Sequence, residues 1–224
     1  MKARESAGFG NMPENVIIDT VSTAHHEAGH FAAHVFFLNV PLSASIIPNK
    51  DHKGIVYSKP DYELPLLKIH TPRVMLDKGY ILIIKLLAGR GVEYLRDRTG
   101  RTESILDEGA MEWESEEGSD LFRSAQIADI VARRGYPARR VLDHAEKLTY
   151  DMLSIPDVWA CVERVAGLLL EHGTIEDPAA LVETEFSDLL GLAYKLPAWR
   201  RRLSISRGPA RIGKSRSENG KGAR

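Results

Sequence analysis

The chain has 224 residues, 43% of them hydrophobic, with 30 Lys/Arg against 31 Asp/Glu. This is ordinary for one globular domain with a sizeable core. A single cysteine excludes an intramolecular disulfide framework and fits a reducing compartment, and no apolar run of about eighteen residues exists to span a bilayer. The near-zero balance hides a division. Arg200 to Arg224 hold nine Lys/Arg and one Glu, a charge of +8, which leaves 21 basic and 30 acidic groups and a charge of −9 before them.

Residues 1–12 are small, polar and without the apolar centre of a signal peptide, so they read as a flexible N-terminus of a cytoplasmic protein. From Pro13 a helical pattern runs to about Leu38, with Asp19-Thr20 as a candidate break, and Asn39 and Pro41 end it. Ser43 to Pro48 and Ile55 to Ser58 are β-rich runs around a polar, Gly54-closed connection, and predict a hairpin or two neighbouring strands. Residues 59–72 hold three prolines and read as loop. Arg73 to about Arg96 is helical again, with Ile81, Ile84, Leu87 and Ala88 as its buried face. Gly89 and Gly91 inside it call for a packing reason, of which close approach to another helix is the simplest.

Residues 98–118 are acidic and read as a solvated loop or short exposed helix. Ser119-Asp120-Leu121 opens a helix that closes at Gly135; others start at Pro137, Pro156 and Asp177-Pro178, the last reaching about Leu192. These last helices are expected to pack as a C-terminal bundle. Cys161 lies among Val158, Val162 and Val165 and reads as buried filler. The expected architecture is mainly α within an α+β class, with a domain over 13–195 and a basic, disordered tail over 196–224.

The informative stretch is Ala24-His25-His26-Glu27-Ala28-Gly29-His30. His26 to His30 fits H-E-x-x-H, which chance alone would place in about one such sequence in fifty. The flanks therefore matter: Ala24, Ala28, Phe31, Ala32 and Val35 form an apolar stripe at helical spacing. Residues four apart on a helix lie one above the other, so both imidazoles can face one zinc ion. Glu27, one position round, is placed to act on a water rather than to ligate.

A catalytic zinc site needs a third protein ligand. His34 is excluded, since eight residues along a helix carry it ~12 Å from His26. His25 points about 100° away from His26 and reads as a partner behind the ligands or a surface residue. Phe31 to Phe36 has no Gly-turn for a third histidine of the metzincin kind, so a carboxylate from elsewhere is required.

Ala24 to His30, Ala44-Ser45-Ile46-Ile47-Pro48, Leu87-Ala88-Gly89-Arg90 with Glu93, and Gly118-Ser119-Asp120-Leu121 with Ala125 together resemble the peptidase domain of FtsH-type ATP-dependent zinc metalloproteases. Order and approximate spacing agree over roughly residues 15–190. The resemblance implies a zinc peptidase fold, Zn2+ held by His26, His30 and Asp120, and Glu27 as general base. Read alone, Asp120 is first a helix N-cap, and only the resemblance turns it into a ligand. Glu93 is either a partner orienting a ligating histidine or a solvent-facing helix residue. The family's strand beside the cleft implies that Ser43–Pro48 or Ile55–Ser58 offers an edge to an extended polypeptide substrate.

The expected function is zinc-dependent endopeptidase cleavage of unfolded or flexible segments. The chain carries neither the membrane anchor nor the ATPase module of the family, which leaves a homo-oligomer or an ATPase in trans as candidate partners. The alternatives are a non-catalytic metal-binding scaffold or regulator, and a protease dedicated to one target. Gly208-Pro209-Ala210-Arg211-Ile212-Gly213-Lys214-Ser215 matches the P-loop pattern, but it lacks the strand before and the helix after that a nucleotide site requires. Nucleic acid is not an expected partner; the basic tail is the one feature that attracts it.

Overall fold

The computed structural model describes residues 14–48, 54–58, 72–96, 106, 119–132 and 137–203. Expectations for residues 1–12, for the loop up to residue 71, for most of the acidic segment and for the tail beyond Leu203 with its P-loop match fall outside them. Within the described residues the protein is mainly helical with one small antiparallel sheet.

Helix α1 (Glu14–Phe36) is continuous, so the candidate break at Asp19-Thr20 does not occur. Its end is built by hydrogen bonds rather than by proline. The Asn39 amide donates to His34 O at 2.9 Å and the Leu38 amide to Val35 O at 3.0 Å, a Schellman closure with Leu38 in the left-handed region at φ 62°. The Gly191 amide also donates to Val35 O at 2.9 Å, tying a distant loop to this terminus.

Strands β1 (Pro41–Ser45) and β2 (Ile55–Ser58) pair antiparallel, Ala44 opposite Val56 and Ser45 opposite Ile55, with a bulge between Pro41 and Ser43. A third strand, β3 (Thr174–Ile175), pairs with Ala44 and Ser45 from the other side, giving the order β2-β1-β3. The first strand is therefore internal. Among the described residues Ile55–Ser58 is a sheet edge, whereas Ala44 and Ser45 are paired by β3, and Ile46 donates its amide to Gly173 O at 2.9 Å.

Helix α2 (Pro72–Arg96) runs as expected, but its buried face includes Ile83 and Val92, and Ile81 is only partly buried. Helix α3 spans Asp120–Ala132, α4 Ala138–Leu153 and α5 Pro156–His172, the last ending on Gly173 at φ 74°. Pro178–Glu185 (α6) stops seven residues before the expected Leu192; two short helices follow, α7 (Leu192–Lys195) and α8 (Pro197–Leu203).

One domain-level expectation is corrected. The chain stays helical to Leu203, and Trp199 is buried edge-to-face on Phe36, with ring centroids 5.0 Å apart, so the boundary at Lys195 falls inside the packed structure. The late helices pack in part on one another, α3 on α4 and α4 more lightly on α5, while α5 packs chiefly on α1 and α4 also on α2. Leu106 is helical and fully buried, so the solvated reading of 98–118 fails at that position. Cys161 is buried as expected, and burial pushes its thiol well above the ordinary value. No helix among the described residues is long and apolar enough to cross a membrane.

Candidate metal centre

The site lies where α1, α2 and the first turn of α3 meet. His26 and His30, one turn apart on α1, bring their Nε2 atoms to 3.0 Å from each other. Asp120 Oδ2 lies 3.0 Å from His30 Nε2 and 3.5 Å from His26 Nε2. A tetrahedral ion with ligands at about 2.0–2.2 Å spaces its donor atoms about 3.3–3.6 Å apart. The triangle is contracted on two sides by a few tenths of an ångström and otherwise has that size. Among the described residues these three form a group able to hold a metal.

Asp120 reaches the histidines because it is spared the capping role. The neighbouring Ser119 takes it: its hydroxyl accepts from the Phe122 amide at 3.2 Å, and its carbonyl accepts from Arg123 N at 2.9 Å. Asp120 is then the first residue of α3, where the helix dipole favours a carboxylate.

The far sides of the rings decide what the near sides can do. His30 Nδ1 lies 2.8 Å from Lys85 O; a carbonyl only accepts, so Nδ1 carries a proton and in the neutral ring Nε2 is left with a lone pair. His26 Nδ1 lies 3.2 Å from Glu93 Oε1. The same reasoning puts its proton there. Two lone pairs and a carboxylate oxygen then converge on one point, an arrangement that repels itself unless a cation sits among them.

Electrostatics agree. Burial opposes a charge on His26, but its hydrogen bonds to Asp120 and Glu93, with the charges of Glu93 and Glu27, lift its pKa to about 10. His30 is also raised: burial opposes this, and the Asp120 charge and hydrogen bond outweigh it. Asp120 is pulled well below the usual carboxylate range, burial resisting and both histidines prevailing. The pocket demands positive charge, and a proton or a metal ion can supply it.

Room for an ion comes from Gly89. A Cβ there would lie 2.6 Å from His26 Nε2 and 2.7 Å from His30 Nε2, filling the cradle the three donors surround. Close approach is thus the reason for this helix-interior glycine, as expected, though it faces the imidazoles as well as the neighbouring helix. Gly29 does the same for the backbones, since a Cβ on it would stand 2.6 Å from Ala88 O. The donor set fits zinc: two neutral imidazoles, one carboxylate and oriented partners behind both rings.

Glu27 is only 6% exposed, and its charge acts on both imidazoles. Gly54, just before β2, lies against it: a Cβ there would fall 2.8 Å from Glu27 Oε1. The strand β2, an edge of the sheet among the described residues, thus starts beside the candidate base. Residue 54 had looked like a turn glycine only, because nothing in its neighbourhood marks what it packs on.

The remaining histidines separate. His25 is neither behind the ligands nor on the surface; it is buried towards α5, with Nδ1 2.8 Å from Val21 O and Nε2 3.6 Å from Glu163 Oε2. His34 lies outside the grouping of His26, His30 and Asp120. Burial, then the nearby charges of Lys85 and His30, hold it well below its ordinary pKa, and its buried Nδ1 has no partner among the described residues. Glu93 is partly buried, 3.2 Å from His26 Nδ1, rather than purely solvent-facing.

No family model matches this chain, and no curated protein matches it significantly.

Proposed function

We propose that this chain is a zinc-dependent endopeptidase of the FtsH type, acting on extended polypeptide. The observation that carries the reading is the convergence of His26 Nε2, His30 Nε2 and Asp120 Oδ2 around a cradle kept open by Gly89. His26, His30 and Asp120 would hold the ion, leaving a position open to reactants. Zinc bound there supplies Lewis acidity and brings the pKa of a water to about 7.

The chain's own groups do the rest. Glu27 sits in a nearly dry position beside the imidazoles, where it takes the proton of the attacking water and then passes one to the departing amine. Its burial keeps bulk water from competing for that proton. The edge strand β2, which begins over Glu27 at Gly54, offers main-chain hydrogen bonds to a substrate stretched alongside it. A folded domain cannot present such a segment, so unfolded or flexible regions are the substrate class. An ATPase acting in trans would widen it.

A retained Glu27 also disfavours the scaffold alternative, since holding a metal needs only the ligands. The test is Glu27→Gln. The variant is expected to keep its zinc and to lose cleavage of casein by about 10²- to 10⁴-fold. Undiminished cleavage in the zinc-loaded variant contradicts the mechanism.

A further inference from the structure

Helix α5 has two unlike sides. One packs on α1; the other is exposed and bears charge mainly of one sign. From Asp157 to Asp188 the chain holds eight Asp/Glu and one Lys/Arg, a net −7, and all eight acids are exposed. The one Lys/Arg, Arg164, is held by Glu185 through bonds of 2.8 and 2.9 Å, which set the end of α6 beside the middle of α5. Asp157, Ala160, Arg164, Gly167 and Glu171 recur at spacings of three and four and share this exposed side. Gly167 stands apart from the other helix-interior glycines. A Cβ on Gly29, Gly79 or Gly89 would meet an atom within 3 Å, whereas one on Gly167 would meet nothing within 4 Å. Such a glycine costs about 1 kcal/mol against alanine, and no neighbour among the described residues offsets it here. With Ala160 it leaves a strip of bare backbone between the carboxylates.

We propose that the basic chain after Leu203 docks in cis along this side of α5 and the end of α6, as an extended segment held by ion pairs. Charge, starting point and length select that occupant. Residues 204–224 hold six Lys/Arg and one Glu, a net +5 against the −7 of the face. They follow directly on α8, which Trp199 anchors at the end of α1, where the Gly191 amide meets Val35 O. Lys195, just before α8, donates from Nζ to Asp188 O at 3.3 Å, so the segment starts near the acidic end of this surface. A Gly/Ser-rich chain of 21 residues spans about 25 Å, which is also about the length of the 17-residue α5. A second copy fits worse, because a symmetric pair through this side would set like charges against each other. The small side chains of Ala160 and Gly167 let an extended backbone lie close while its arginines reach carboxylates on either side. Tethering raises the effective concentration to the millimolar range, enough for ion pairs that are weak singly. Helix α5 packs on a different side of α1 from the metal centre, so this docking leaves that centre uncovered and does not rest on the metal reading.

The test places a nitroxide on Ser217→Cys of the full chain, where buried Cys161 escapes labelling, and reads the paramagnetic broadening of backbone amides. At about 0.01 M salt the broadening is expected to centre on Ala160, Gly167 and Glu171. At about 1 M salt, where screening limits charge interactions to about 3 Å, it should fall more than about fivefold. Asp157→Lys with Glu171→Lys and Glu183→Lys should abolish it at low salt and leave thermal unfolding nearly in place, since all three are exposed. Arg207→Ser with Arg211→Ser and Lys214→Ser should abolish it equally without touching the described fold. Broadening that is uniform, that centres on another surface, or that neither salt nor substitution changes overturns the proposal. Equal broadening of isotope-labelled, spin-free chains mixed with spin-labelled ones also overturns it, since the tail then sits on a second copy.

Discussion

Helix α1 makes two interfaces of opposite design. Towards α5 it meets a filled stripe, Val158, Cys161, Val162, Val165, Ala166 and Leu169, all at 0% exposure. Towards α2 the contact depends on what is left out. Gly29 lets the Ala88 carbonyl approach, and Gly89 leaves a cradle against His26 and His30. The first interface gains from every methyl group present; the second works because two methyl groups are missing. A single helix can thus serve as both core and site when its faces obey different rules.

Gly89→Ala breaks the comparison most severely. On helix propensity alone the change should stabilise α2 by about 1 kcal/mol. The added carbon would lie 2.6–2.7 Å from both Nε2 atoms, where a real contact cannot exist. Zinc affinity measured by chelator competition is expected to fall more than about 100-fold, and wild-type affinity in this variant contradicts the cradle.

Leu169→Ala tests the filled side. It should lower unfolding free energy in urea by about 2–5 kcal/mol, while the folded fraction keeps its zinc affinity. A matching loss of affinity would mean that the two faces are not separable.

A pH series sharpens the polar side. In the metal-free protein the folded pKa of His26 is raised from 6.5 to about 10. Its contribution is then fully present below 6.5 and is lost as pH rises through about 10. The urea midpoint of the metal-free form should fall across that window, and saturating zinc should remove the fall, because the ion replaces the proton. A metal-free midpoint that is flat or rising there contradicts the charge account of the pocket.

The smallest effect is at the end of α1. Leu38 holds φ 62° at 62% exposure, a conformation that disfavours non-glycine residues by about 1 kcal/mol. Leu38→Gly is expected to raise stability by up to about 1 kcal/mol in thermal melts without touching zinc binding.

Much of this was legible in the residues, and the limits have physical reasons. H-E-x-x-H declares itself because both histidines sit on one local element with fixed spacing. Asp120 was found only through resemblance, since an Asp after Ser at a helix start looks the same whether it caps or ligates; Ser119 taking the cap is a matter of three-dimensional detail. Long elements with proline or glycine at their ends, such as Pro156–His172, were read almost to the residue. The two-residue strand at Thr174 has too few side chains to show a period, and its pairing with Ala44 is a tertiary event. The end of α6 at Glu185 was missed because Phe186, Leu189 and Leu190 continue an apolar pattern that the chain uses in a turn. Trp199 was assigned to the tail because its charged neighbours outweigh one ring in any average, whereas one buried ring suffices to anchor α8. Lys85 as a hydrogen-bond partner was beyond reach, since its backbone carbonyl does the work.

The central claim is that one carboxylate from α3 completes a site begun by two imidazoles on α1. Zinc-edge X-ray absorption on the loaded full chain, beside Asp120→Ala, tests it most directly. The account predicts two imidazole nitrogens and a carboxylate oxygen at about 2.0–2.2 Å in the wild type, with that oxygen lost and zinc affinity sharply reduced in the variant. An unchanged spectrum and unchanged affinity in Asp120→Ala would contradict it.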